Sequence, residues 1–277
     1  MTPFLSCQKR FVRLLPLMLA ALLVGCGGEA AETTGVTITP GERSPAIEGA
    51  SARFASPADS VVVEDADVDV VVEVEAFEAG VQTDTPRREE IANSADGQHM
   101  HVIVDNEPYL ANYTPGEPFD IGTLEEGPHS LVVFPSRSYH ESVKNEGAHD
   151  ILNFWVGEEG GAFPLDPSQP TIIYSRPKGT YSGDAAEQIM LDFYLHNVTL
   201  GEDGYKAHYT IRRADDGGDA EPLAEITLTE WVPAFVTGLE PGDYVVRLEL
   251  LDADDNVVPG VFNTTERTIT VEAGDEG

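Results

Sequence analysis

The sequence predicts an all-β protein, organised as two tandem sandwich modules behind an export signal and a polar tether. Three observations carry this. Apolar and polar residues alternate at period two over several short stretches, glycine and proline (26 and 19 residues) interrupt the chain every few positions, and one strand-opening motif occurs twice. No stretch sustains a helical period.

The elements follow in chain order. Residues 1–25 carry Lys9, Arg10 and Arg13, no acid, and an apolar run from Leu14 to Val24, which are the n- and h-regions of a signal peptide. The run is shorter than the roughly 20 residues of a comfortable membrane span. It ends in Leu23-Val24-Gly25-Cys26, which is similar to the lipobox of bacterial lipoproteins. That resemblance implies cleavage before Cys26, lipidation of Cys26 with a diacylglycerol and an N-acyl chain such as palmitate, and stable membrane attachment through several chains on one residue. Gly27 and Gly28 stand where an aspartate would favour inner-membrane retention. The resemblance therefore implies the cell envelope, with the outer membrane preferred to the inner.

Residues 26–59 are small, polar and proline-bearing, without an apolar period, and read as a flexible tether reaching ~30 Å. Folded sequence is expected after it. Val68, Val70, Val72 and Val74 alternate with Asp69, Val71, Glu73 and Glu75, as in a half-buried strand. Further strands are predicted at 99–105, 130–134 and 151–156, then at 189–197, 205–212, 245–251 and 267–271. The motif Leu124-Glu125-Glu126-Gly127-Pro128-His129 returns as Leu239-Glu240-Pro241-Gly242-Asp243-Tyr244, and Gly97–Val102 lies over Gly204–Tyr209. Two modules result, at 60–165 and 166–277, each near the usual domain size.

The pattern Leu-x-x-Gly-x-aromatic followed by an alternating strand and a short closing strand resembles the tail of immunoglobulin-like and fibronectin-type β-sandwiches. There the penultimate strand often opens at a tyrosine whose hydroxyl bonds the chain just upstream. The resemblance implies two tandem immunoglobulin-like β-sandwich domains with Tyr244 at that corner. His129 departs from the pattern, so the first corner needs an imidazole nitrogen in place of the hydroxyl.

Charge and thiols exclude several functions. The whole chain has 16 Lys and Arg against 49 Asp and Glu; without Lys9, Arg10 and Arg13 the formal charge is −36. So acidic a surface excludes nucleic acid as a partner and fits a high-salt, halophilic habitat. Cys7 falls in the signal and Cys26 is the lipidation site, so no disulfide, thiolate metal site or cysteine nucleophile is available.

Two constellations could carry chemistry. Five of the seven histidines fall between His99 and His149. On a strand whose Met100, Val102 and Val104 face the core, His99 and His101 share the outer face, and pairing with 130–134 brings them near the following loop, with His140 and Glu141. That set suits Zn or Cu(II); the alternative is a solvent-facing pair of histidines. Separately, Arg137, Ser138, Lys144, Arg176 and Lys178 could form a basic notch that receives a carboxylate, phosphate or sulfated glycan, with an envelope protein or glycan as the partner, or could pair with local acids such as Glu146 and Asp150.

Enzyme motifs are absent: there is no Gly-x-Ser-x-Gly elbow, Gly-rich phosphate loop or His-Glu-x-x-His pair, and the acidic runs lack EF-hand spacing. The expected role is therefore non-enzymatic, binding or structural, with metal binding as the first alternative and hydrolysis as the second.

Overall fold

A computed structural model describes residues 35–274 except Asp219. The expected signal segment, the expected lipidation site Cys26 and the first part of the expected tether lie outside these residues. In chain order the strands are β1 (Thr37–Pro40), β2 (Ser51–Ser56), β3 (Val62–Val63), β4 (Asp67–Glu75), β5 (His99–Val104), β6 (Leu110–Asn112), β7 (Pro118–Thr123), β8 (Gly127–Ser136) and β9 (Asp150–Val156). They continue with β10 (Thr171–Arg176), β11 (Gly179–Tyr181), β12 (Gln188–His196), β13 (Lys206–Arg213), β14 (Ala224–Leu228), β15 (Ala234–Thr237), β16 (Gly242–Leu251) and β17 (Thr264–Val271).

Four sheets pair into two sandwiches. In the first, β2-β4-β7 packs on β3-β9-β8-β5-β6; in the second, β1-β15-β12-β10 packs on β11-β17-β16-β13-β14. Alternation decides what faces in. Val68, Val70 and Val72 of β4 meet Met100, Val102, Leu131 and Val133 in the first core, while Asp67, Asp69 and Glu73 stay exposed. The second core is richer in aromatics, with Phe193, Tyr209 and Tyr244 fully buried beside Leu191 and Leu248.

Both corners close. Tyr244 donates its hydroxyl to Glu240 O at 2.6 Å, and His129 Nε2 takes the same role toward Glu125 O at 2.8 Å. The imidazole also reaches Asp105 Oδ2 through Nδ1 at 2.5 Å. Gly127 and Gly242 open their strands at φ of 133° and 150°, a region closed to most side chains, so the repeated motif needs its glycine.

The tether expectation fails for residues 35–59. Thr37–Pro40 pairs antiparallel with β15 of the second sandwich, and Ser51–Ser56 pairs with β4 of the first. Val36 and Ile38, two residues apart, pack on the second core, and that brief alternation is enough because a sheet edge supplies the missing backbone partners. Gly238 lets β1 in: a Cβ there would stand 2.2 Å from Gly35 O. Between the two strands, Gly41 N donates to Pro233 O at 2.7 Å and Ser44 N to Glu141 Oε1 at 3.0 Å, so the segment straps both sandwiches together.

The outer face of β5 and β8 is not solvent-facing either. Ile103, Val132 and Phe134 pack against Ile173 and Tyr194 of the second sandwich in a third apolar cluster, with Tyr109, Leu165 and Phe262. Across the same junction the Lys144 ammonium meets the Asp192 carboxylate, both side chains almost wholly buried. Ser142 N adds a bond to Asp192 Oδ2 at 2.9 Å.

Candidate metal centre

His99 and His101 stand two residues apart on β5 and so share a face, as alternation requires. The register His99↔Ser136 and His101↔Phe134 puts them beside the end of β8 and the turn after it. That turn is closed by His140 N donating to Arg137 O at 2.8 Å and Arg137 N donating to Glu141 O at 2.9 Å. His140 sits in it at φ 67°, a left-handed conformation that costs a non-glycine residue on the order of 1 kcal/mol or more. The turn aims its imidazole back at β5.

The three rings converge. His99 Nε2 lies 3.1 Å from His101 Nε2 and 3.3 Å from His140 Nδ1, and all three nitrogens fall within 4.8 Å of one another. A tetrahedral ion with metal–nitrogen bonds of about 2.0–2.1 Å separates its ligands by ~3.3 Å. The two short separations match that edge.

Proton placement favours the same geometry. His99 Nδ1 is 2.9 Å from Gly97 O, and a carbonyl can only accept, so Nδ1 carries the proton and Nε2 turns a lone pair to the centre. Gly97 is itself obligatory, at φ +85° with the backbone of Val81 where a Cβ would stand. His101 Nδ1 meets the Ser175 hydroxyl of β10 at 3.1 Å. Carbonyl and hydroxyl partners on the far ring nitrogen are what orient histidine ligands in metal sites.

Electrostatics keep the cluster neutral. Burial, more than any charge, lowers His99 to about 4 and His140 to about 2, with Arg176 and Lys178 adding to the effect, and it holds His101 well below the ordinary histidine value. The rings are neutral imidazoles at neutral pH, each with one N–H, so a metal need not displace an imidazolium proton. Both strand histidines are fully buried, and the expectation of solvent exposure is overturned because Ser175 of β10 meets His101 while Tyr109, Tyr113 and His140 surround His99.

Tyr109 completes the wall. Its ring stacks on His101 with centroids 3.5 Å apart, and its hydroxyl lies 3.3 Å from His140 Nδ1. Arg176 Nη1 donates to that hydroxyl at 3.0 Å, and the Lys178 ammonium sits 3.8 Å from the ring centroid. Neither Tyr109 nor Ser175 was expected from sequence. Tyr109 lies just beyond the Asp105–Pro108 turn, and Ser175 is the immediate neighbour of Arg176; both become visible only once β5 and β10 are known to face each other.

Glu141 does not join the histidines. Beyond the turn its side chain leaves in another direction, accepting from Ser44 N and from Ser44 Oγ at 2.5 Å, and from Arg87 at 2.7 Å. Burial alone would raise its carboxyl, but Lys144, Ser44 and Arg87 outweigh it and hold the value below the usual carboxylate range. It anchors the strap instead.

The basic notch does not assemble. Arg137 bonds Pro45 O, Ser138 exchanges bonds with Thr83, and Lys144 pairs with Asp192, not with Glu146 or Asp150. Only Arg176 and Lys178 share a location, at Tyr109. The remaining histidines are elsewhere: His129 at its corner, and His149 Nε2 against His196 Nδ1 at 2.8 Å beside a cleft of about 640 Å³ lined by Arg43, Lys144 and Trp231.

No protein-family model matches the chain, and no curated protein does. Among solved structures, the chain is similar to the fibronectin(III)-like modules of Clostridium thermocellum CbhA at 13% identity, covering 80% of this chain and 94% of that one with a TM-score of 0.27. It is similar to the FN1–FN3 domains of chicken CNTN1 at 10% identity, covering 79% and 67%, TM-score 0.26. Domains 4 and 5 of the S-layer protein SbsC match at 10% identity, covering 83% and 100%, TM-score 0.21. Likeness at this level carries no functional argument, and the site must speak from its own geometry.

Proposed function

We propose that the protein is an exported, non-enzymatic metal-binding lipoprotein of the cell envelope, anchored through Cys26, that holds one Zn or Cu(II) ion between His99, His101 and His140. The observation that carries this is the convergence of three neutral imidazole nitrogens within 4.8 Å, two of them with their far nitrogens held by oxygen partners. Imidazole suits both metals, and the absence of a nearby thiolate disfavours softer ions. The lipobox-like Leu23–Cys26 supports the anchor, the residues after it support the outer membrane, and the acidic surface supports a saline habitat.

A hydrolase has one observation in its favour, the hydroxyl–imidazole pair Ser175–His101. Against it, Ser175 is 2% exposed and His101 0%, which closes the hydroxyl to an ester, peptide or glycoside substrate larger than a few atoms. Metal analysis of the full chain, purified in high salt and equilibrated with Zn or Cu(II), tests the main reading. One equivalent in the natural protein and a small fraction of that in His140→Ala is expected; equal, negligible metal in both would end it. Incorporation of labelled palmitate, abolished in Cys26→Ser, tests the anchor.

A further inference from the structure

Around the three histidines the charges do not balance. Arg176 is 9% exposed, its Nη1 is spent on the Tyr109 hydroxyl, and its Nε is buried with no hydrogen-bond partner. Among the described residues no ion pair includes Arg176 or Lys178, although this chain has 49 acidic residues to offer. An unpaired buried guanidinium is costly, and natural proteins neutralise such groups. Placing a divalent ion among three neutral imidazoles would add two more positive charges beside these two cations. Among the described residues no carboxylate bonds to His99, His101 or His140 to offset them; the one that acts on His99 is Asp96, which does so weakly, after burial, Gly97, Arg176 and Lys178.

We infer that the histidine-bound ion takes a small oxyanion of carboxylate or carbonate type as its fourth ligand, and that Arg176 and the Tyr109 hydroxyl hold it there. The inference rests on the metal reading above and adds to it the ligand class and the residues that receive it. Three protein ligands leave a tetrahedral ion one open position. The Tyr109 hydroxyl marks where that position is: it lies 3.3 Å from His140 Nδ1 and 3.0 Å from Arg176 Nη1, between the centre and the guanidinium. In the tautomer that can bind a metal, His140 Nδ1 carries a lone pair and Tyr109 O–H donates to it. Once that lone pair is given to the ion, the O–H needs a new acceptor, and an oxygen on the ion supplies it. The guanidinium fork matches a planar oxyanion edge to edge. Lys178, half-buried and 3.8 Å from the Tyr109 ring centroid, adds positive potential without direct contact.

The test uses the full chain loaded with one equivalent of Cu(II), with azide as a coloured probe and formate as the competing oxyanion. Azide should produce an anion-to-copper charge-transfer band that formate bleaches. In Arg176→Gln the azide dissociation constant should rise at least tenfold, with copper stoichiometry kept at one by metal analysis. Lys178→Gln, at a half-buried position whose amide can still donate to the Tyr109 carbonyl that the ammonium now bonds, should raise it about threefold and, with the folded state checked by far-ultraviolet dichroism, decides the matter if Arg176→Gln does not fold. Copper bound at one equivalent with no azide band, or with an azide affinity unmoved by the variants, overturns the inference and leaves the metal site standing. A phenolate-to-copper band before azide is added, lost in Tyr109→Phe, also overturns it, because the protein then fills the fourth position itself. Failure to bind copper at all strikes the metal reading instead.

Discussion

His101 Nδ1 lies 3.1 Å from the Ser175 hydroxyl, so an imidazole of the first sandwich is oriented by a side chain of the second. The site therefore depends on the docking of the two sandwiches. Replacing Ser175 with alanine removes only the partner of the far nitrogen, and such losses cost about 10- to 100-fold in metal affinity. Calorimetric titration of Zn into Ser175→Ala should show that weakening with an unchanged stoichiometry and an unchanged far-ultraviolet dichroism spectrum.

The Lys144–Asp192 pair crosses the same junction with both side chains buried. Burial pushes the Asp192 carboxyl up, while Lys144 and Ser142 N pull against that. Removing one partner strands the other. Lys144→Met and Asp192→Asn should each lower the unfolding free energy by about 3–5 kcal/mol, and Lys144→Met combined with Asp192→Asn should cost less than the sum of the singles. Urea titration of the four proteins gives the comparison.

Acid should destabilise the fold before its carboxylates titrate. His149 is held at about 4, chiefly by burial and then by His196, whereas the unfolded chain protonates it near 6.5. Between those values the unfolded state binds the extra proton, so stability is full above pH 6.5 and falls as pH drops toward 4, by at most ~1.4 kcal/mol per pH unit for this residue. Around it stand His196, Arg43, Lys144 and Glu146. Thermal melts from pH 7 to 4 should show a shallower decline for His149→Asn than for the natural protein; parallel curves would remove His149 from the account.

Gly238 carries φ +80° under the backbone of Gly35. An alanine there must both adopt a strained conformation and push β1 off β15. Gly238→Ala is expected to cost about 1–3 kcal/mol and to expose the bonds around residues 35–40 to protease under conditions where the natural chain resists.

Much of this architecture was legible in the sequence. The alternation of Val68 to Val74 and the repeated Leu-x-x-Gly motif name the β4 and β16 environments directly, and His129 does take the tyrosine's place. The pairing of His99 with the end of β8 followed from strand order, and with it the approach of His140. What escaped was everything set by the second sandwich covering the first. The run Leu131-Val132-Val133-Phe134 is apolar on both faces, the signature of a strand buried on two sides, and it foretold that His99 and His101 could not face water. Side-chain direction beyond a left-handed residue is not readable from spacing, so Glu141 was grouped with a neighbour from which it diverges. The cations failed as a set because they come from two separate segments, Arg137 and Lys144 after β8 and Arg176 and Lys178 at the end of β10, and each finds its own partner.

The strand Thr37–Pro40 has a mechanical consequence. Cys26 and Gly35 are nine positions apart in the sequence, a span of at most ~32 Å however the chain runs between them. A lipid on Cys26 would thus act on a short leash made fast at the β1–β15 ladder. Tension from the bilayer would enter the second sandwich first and reach the histidines by two routes, through β10 with Ser175 and Arg176 and along the strap, whose Ser44 holds Glu141 beside His140.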